Sequence, residues 1–158
     1  MTSNIGELAS LKHKDIWLDE KCILLHGKGK RKRFVPCPQQ LFFHIVEFAN
    51  WKRSTCQSTN PDDYFMLSRL GKPYSINSLE NMIKKLCVKC NVRYKSPHAF
   101  LHAFSNTYLD KTGRLNGGSG DLKGLQQLLG HSDLSVTTIY LQVPFEKLSQ
   151  RVEGLYDN

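Results

Sequence analysis

The sequence predicts a mostly α-helical domain carrying one small β-hairpin. Three observations predict it. Apolar residues recur at spacings of three and four over several segments. Two short apolar runs flank Gly27-Lys28-Gly29-Lys30, where the glycines suit a tight turn. Helix start and stop signals punctuate the second half. The chain has 158 residues, 40% of them hydrophobic, which suits one domain with a real core and argues against a disordered tail.

Leu8 and Leu11 with the acidic Glu7 fit a short opening helix. Ile16 to Leu18 and Cys22 to Leu25 read as strands, and Phe34-Val35 as the strand returning from the turn, ended by Pro36 and Pro38. Leu41, Phe42, Ile45, Val46, Phe48 and Ala49 predict a helix over 41–51, followed by a polar loop over 54–63. Leu79, Met82, Ile83, Leu86, Cys87 and Cys90 mark one face of a further helix. Ser96-Pro97 predicts the start of another, with Ser as N-cap and Pro at the first helical position, running to about Asp110.

Residues 112–120, with four glycines, are expected to be a flexible loop. Asp121 caps the next helix, with Leu122, Leu125, Leu128 and Leu129 facing a core and Gly130 ending it. A short helix from Ser135 carries Ile139 and Tyr140, and an amphipathic one follows Pro144 to about Leu155.

Lys and Arg number 22 against 14 Asp and Glu, a net charge of +8. The excess is concentrated. Lys12 to Phe34 holds eight basic residues against three acids, and Lys84 to Lys95 holds five against none. Two basic clusters suit a polyanion, because Lys and Arg that displace counterions from phosphates supply most sequence-independent nucleic-acid affinity. No apolar run reaches the ~18 residues that span a bilayer, and no signal-peptide pattern opens the chain. Five cysteines, an odd number, fit reduced thiols, and a cytoplasmic location is expected, nucleoid-associated in a prokaryote.

Four segments in order carry a specific resemblance. They are Gly6-Glu7-Leu8-Ala9-Ser10-Leu11 with Asp15-Ile16; Gly27-Lys28-Gly29 through Arg33-Phe34-Val35-Pro36; Ser96-Pro97-His98 through His102-Ala103-Phe104; and Leu128-Leu129-Gly130-His131-Ser132 with Thr138-Ile139-Tyr140. Together they resemble the catalytic domain of tyrosine recombinases, the phage-type integrases. The resemblance implies that family's DNA breaking-rejoining fold and a single C-terminal-type catalytic domain over 1–158, without the N-terminal core-binding domain, in a truncated or decaying relative.

It also implies chemistry. Tyr140 is the nucleophile that forms a 3′-phosphotyrosyl link to DNA, His98 assists removal of its proton, Lys28 protonates the leaving oxygen, and His131 hydrogen-bonds the phosphate. Lys28, Lys30, Arg31, Lys32, Arg33 and Lys95 are the expected contacts to double-stranded DNA. The helix at 145–156, whose Phe145, Leu148, Val152 and Leu155 form an apolar stripe, has two readings: association of copies on DNA, or packing back on the chain's own core. No cofactor or metal is implied.

Two positions depart from the family pattern. The arginines that clamp the non-bridging phosphate oxygens fall on Asn4 and Leu101. Losing one preorganised donor typically costs ~3 to 4 kcal/mol of transition-state stabilisation, and an arginine stabilising phosphoryl transfer is worth ~10³ to 10⁵ in rate. A DNA-binding domain with impaired catalysis is therefore expected. The alternative is an active integrase whose clamp is rebuilt from Arg31, Arg33, Arg93 or Arg114.

Two metal patterns were weighed. Cys87 and Cys90 have ligand spacing but continue the apolar face of their helix, and no second pair follows. His98, His102 and His131 form a remote zinc-hydrolase alternative, in which Ala99 stands where a metalloprotease general base would be.

Overall fold

The computed structural model describes residues 3–27, 31–56, 60–115, 117–130 and 144–156. Helix α1 (Ser3–Ser10) and a 3-10 turn (His13–Asp15) lead into a three-stranded antiparallel sheet of β1 (Ile16–Trp17), β2 (Cys22–His26) and β3 (Lys32–Pro36), in the order β1-β2-β3. Ile23 stands opposite Ile16 on one side and Val35 on the other. Helices α2 (Gln39–Cys56), α3 (Ile76–Lys89), α4 (Pro97–Leu115), α5 (Leu122–Leu129) and α6 (Phe145–Glu153) follow. The mostly α class with a small sheet holds. Residues 131–143, with the short helix expected from Ser135, lie outside the described residues.

The elements build two apolar clusters. One gathers Leu11, Cys37, Ile45 and Phe65, with Ile16, Ile23 and Leu25 of the sheet packed against it. Burial pushes the Cys37 thiol up to about 11, so it serves here as a small apolar group. The other gathers Tyr108, Leu125, Leu128, Leu148 and Val152, with Val35 and Phe104 against it. Leu148 and Val152 are thus core residues of their own chain. Of the two readings of this stripe, packing on the chain's own core is the one its Leu148 and Val152 follow, against Tyr108, Leu125 and Leu128 of α4 and α5.

Helix ends follow the capping signals. The Ala99 N–H donates to Ser96 Oγ at 3.2 Å, the Gly124 N–H donates to Asp121 Oδ1 at 3.0 Å, and Gly130 ends α5 in the left-handed region at φ 71°. The boundary expected near Asp110 is overrun: α4 continues to Leu115. Thr112 is buried in its last turns, donating to the Tyr108 carbonyl at 2.7 Å and accepting from the Asp121 N–H at 2.9 Å. The returning chain lies close against α4, where a Cβ on Gly120 would stand 2.8 Å from the Leu109 carbonyl oxygen. The expected loop at 112–120 is therefore helix for its first four residues.

Candidate active site

Helix α1 packs against both β2 and α4, and α5 packs against β3, so the segments that carry the family resemblance converge. Their physical link is Arg33. Its guanidinium donates to both carboxylate oxygens of Glu7, Nη1 to Oε1 at 2.6 Å and Nη2 to Oε2 at 2.9 Å, while Nε donates to the Leu128 carbonyl at 2.9 Å. Glu7 is 7% exposed, and the Arg33 side chain 14%. A Cβ on Gly130 would lie 3.0 Å from Arg33 Nη1, so the glycine before His131 allows the guanidinium to lie against the end of α5. A bidentate fork of this kind fixes direction as well as distance. It ties α1, β3 and α5 at one point.

Arg33 was expected among the DNA contacts, and the structure places it in this inward pair. The sequence held a signal for that. Strand side chains alternate, so Arg33 shares a face with Val35, and Val35 packs on the core, while Lys32 and Phe34 are exposed on the other face. Glu7 is expected as an acid of the opening helix and stands in the first resembling segment, and nothing in the sequence pairs it with Arg33. A second buried carboxylate, Asp15 at 2% exposure, accepts from the Lys12 N–H at 3.0 Å and bonds His26 Nε2 at 2.8 Å, which links the turn before β1 to the end of β2.

The first turns of α4 contrast with that pair. His98 and His102 are exposed, with their Nε2 atoms 3.0 Å apart and their rings at 76°. Leu101 is half-buried on the same turn. Lys32, Lys95 and Arg31 are exposed; Arg31 also holds the hairpin through its carbonyl, which accepts from the Gly27 N–H at 2.8 Å. Of Asn4 the helical backbone is described, on α1. Tyr140, His131, Lys28 and Lys30 lie outside the described residues.

Tyr108, in the middle of α4, is fully buried and donates to Asp121 Oδ2 at 2.7 Å. Burial, then the Asp121 carboxylate, pushes its phenol well above the ordinary tyrosine range, which makes it a packing residue and a poor nucleophile. The metal patterns fare poorly. Among the described residues no three His, Cys, Asp or Glu side chains stand together as a ligand set, so the zinc-hydrolase alternative has no support. Cys87 is buried and Cys90 exposed.

Residues 4–147 match the phage integrase family. The chain is 33% identical over 147 residues to the tyrosine recombinase XerC of Lactobacillus leichmannii, covering 92% of this chain and 48% of that protein. Among solved structures it is similar to the XerA recombinase, with a TM-score of 0.66 at 26% identity over 98% of this chain and 53% of that one. It is also similar to the XerH site-specific recombinase in a post-cleavage complex with a palindromic difH substrate, with a TM-score of 0.59 at 26% identity over 94% of this chain and 40% of that one. The chain spans about half the length of the curated relatives it matches. With α1, β3 and the end of α5 joined at the Glu7–Arg33 pair and the match running almost the whole length, this chain belongs to the phage integrase family of tyrosine recombinases.

Proposed function

We propose that this chain is a DNA-binding domain of the integrase family whose phosphotyrosyl chemistry is impaired at its phosphate clamp. One observation carries the reading. Leu101 stands three residues after His98 on α4, on the helix turn where the resemblance puts a phosphate-clamping arginine, and it presents an apolar side chain there. With Asn4 at the other clamp position, both guanidinium groups are replaced. DNA affinity survives such a loss, because it rests on the basic hairpin and on Lys95. XerH, a related fold, is solved with its difH substrate bound, which supports DNA as the partner. A protein acting on DNA would work in the cytoplasm, on the nucleoid in a prokaryotic host.

The second reading, an active integrase with a rebuilt clamp, has fewer carriers than the sequence suggests. Arg33 is engaged by Glu7 and Leu128. Arg114 pairs with Asp110 and lies thirteen residues from Leu101, about 20 Å along α4 at 1.5 Å per residue. Association of copies through helix 145–156 would have to displace Leu148 and Val152 from the core they fill.

Two measurements test the proposal. Fluorescence anisotropy with a mixed-sequence 30-base-pair duplex should show binding that weakens steeply with salt, and each of Lys30→Ala and Lys32→Ala should lower the slope of log K against log salt by about 0.9. Covalent trapping on nicked duplexes randomised around the nick should give no adduct with the chain as it stands. An adduct that Tyr140→Phe abolishes would establish the active integrase instead. An adduct appearing only in the Asn4→Arg, Leu101→Arg double variant would pin the impairment on the clamp.

A further inference from the structure

We infer that His98 and His102 form a two-nitrogen binding site for a divalent transition ion of the Ni²⁺ or Cu²⁺ type, its other coordination positions filled by water. The inference rests on one distance and one substitution. Two imidazole nitrogens 3.0 Å apart, each at an ordinary metal–nitrogen bond of about 2.0 to 2.1 Å, subtend about 91 to 97° at a shared ion. That is the cis angle of square-planar and octahedral centres, which Ni²⁺ and Cu²⁺ favour. A tetrahedral zinc centre would need the two nitrogens about 3.3 Å apart at the same bond length. The pair's spacing therefore suits a cis chelate of Ni²⁺ or Cu²⁺ better than a tetrahedral zinc centre.

The helix supplies the rigidity. The histidines stand four apart on α4, so they share a face. The helix is capped at Ser96 and anchored in the core at Tyr108 and Thr112. The direct Nε2 to Nε2 hydrogen bond requires one ring to act as acceptor, so at least one imidazole is neutral. Ligation replaces that bond without net proton release from a neutral pair: the proton on the donating Nε2 leaves, and the same ring takes one up on Nδ1, freeing both Nε2 lone pairs.

Leu101 is what opens the site to a cation. The family pattern sets a guanidinium at this position, one residue from His102 and one turn from His98, where its charge would repel a dication. Leucine leaves that point uncharged. The N-terminal end of α4 and Lys95 still oppose a positive ion, so the chelate geometry has to carry the affinity. The site exists whether or not the chain binds or cuts DNA, and its test involves no DNA.

The test is titration of the reduced chain with NiCl₂ at pH 7.5 in a non-coordinating buffer, followed by calorimetry. One Ni²⁺ per chain is expected, bound more tightly than Zn²⁺. His98→Gln and His102→Gln should each weaken it at least tenfold with unchanged circular dichroism, since both side chains are exposed. His44→Gln, which alters the exposed pair with Glu47, and Cys90→Ser, which removes the exposed thiol, should leave it unaltered. Leu101→Arg should weaken it several-fold. Absence of Ni²⁺ binding, binding that survives His102→Gln, or binding lost in Cys90→Ser would each overturn the assignment.

Discussion

Glu7 and Arg33 meet in a fork nearly closed to water, whereas His98, Leu101 and His102, on the helix that packs against α1, stand half or fully exposed. Both regions belong to the same family pattern. In the first, charge holds three elements together, and removing either partner leaves the other charge stranded in the interior. In the second, charge would serve only a phosphate, and its replacement by leucine strands nothing. On the proposed reading, the difference accounts for a clamp residue being exchanged while the scaffold beneath it persists: a buried pair is held by folding, an exposed cation only by use.

The largest expected effect breaks the first region. Arg33→Ala should destabilise the fold by about 3 to 5 kcal/mol, because it leaves the Glu7 carboxylate buried and unpaired. Urea denaturation measures this, and a midpoint no lower than that of Leu101→Arg would erase the contrast. Gly124→Ala comes next, at about 1 to 3 kcal/mol, since an added Cβ would overlap the Asp121 carboxylate and the Tyr108 hydroxyl that hold α4 to α5. Thermal melting of the variant beside the parent checks it.

The third prediction concerns pH. Lys52 is fully buried; its Nζ donates to the Tyr64 and Phe65 carbonyls at 2.5 and 2.9 Å and meets His13 Nε2 at 2.6 Å, and the Asp63 carboxylate partly offsets the effect of burial on both groups. Burial first, and then the Lys52 ammonium, holds His13 below its ordinary 6.5. The folded state therefore favours neutral His13. That contribution to stability is fully present above pH 6.5 and is lost as the pH falls through the lowered value. Melting temperature should drop between pH 7 and pH 5, and more shallowly in His13→Gln. The smallest effect belongs to the second region: Leu101→Arg should change stability by no more than about 0.5 kcal/mol, because the position is only half-buried.

These contrasts also mark what the sequence made legible. Caps and periodicity located α1, the sheet, α3 and the starts of α4 and α5, because Ser96, Asp121 and Gly130 act locally. The end of α4 was hidden, since Thr112 and Gly113 are packed by residues 118–121 folded back on them, a contact that local sequence does not show. Arg33 was misleading for a related reason. In a run of four basic residues its charge is the obvious property, and the partner that turns it inward lies 26 positions earlier. Lys52 gave no signal, because a lysine satisfied by carbonyls of a distant segment looks like any surface lysine on its helix. The reading of Asn4 and Leu101 as clamp positions comes from the family resemblance, which specifies residue type at fixed spacing, and it belongs to the proposed function.

The Arg33 junction also has a history in time. Its guanidinium bonds Glu7, made 26 residues earlier, and the Leu128 carbonyl, made 95 residues later. At ribosomal rates of about 5 to 20 residues per second, Arg33 waits roughly 5 to 19 seconds for its third partner. During synthesis α1 and β3 are able to join first, as a half-built socket whose Nε remains in water. The end of α5 then closes that socket, and α6, whose Leu148 and Val152 complete the second apolar cluster, is made only after it.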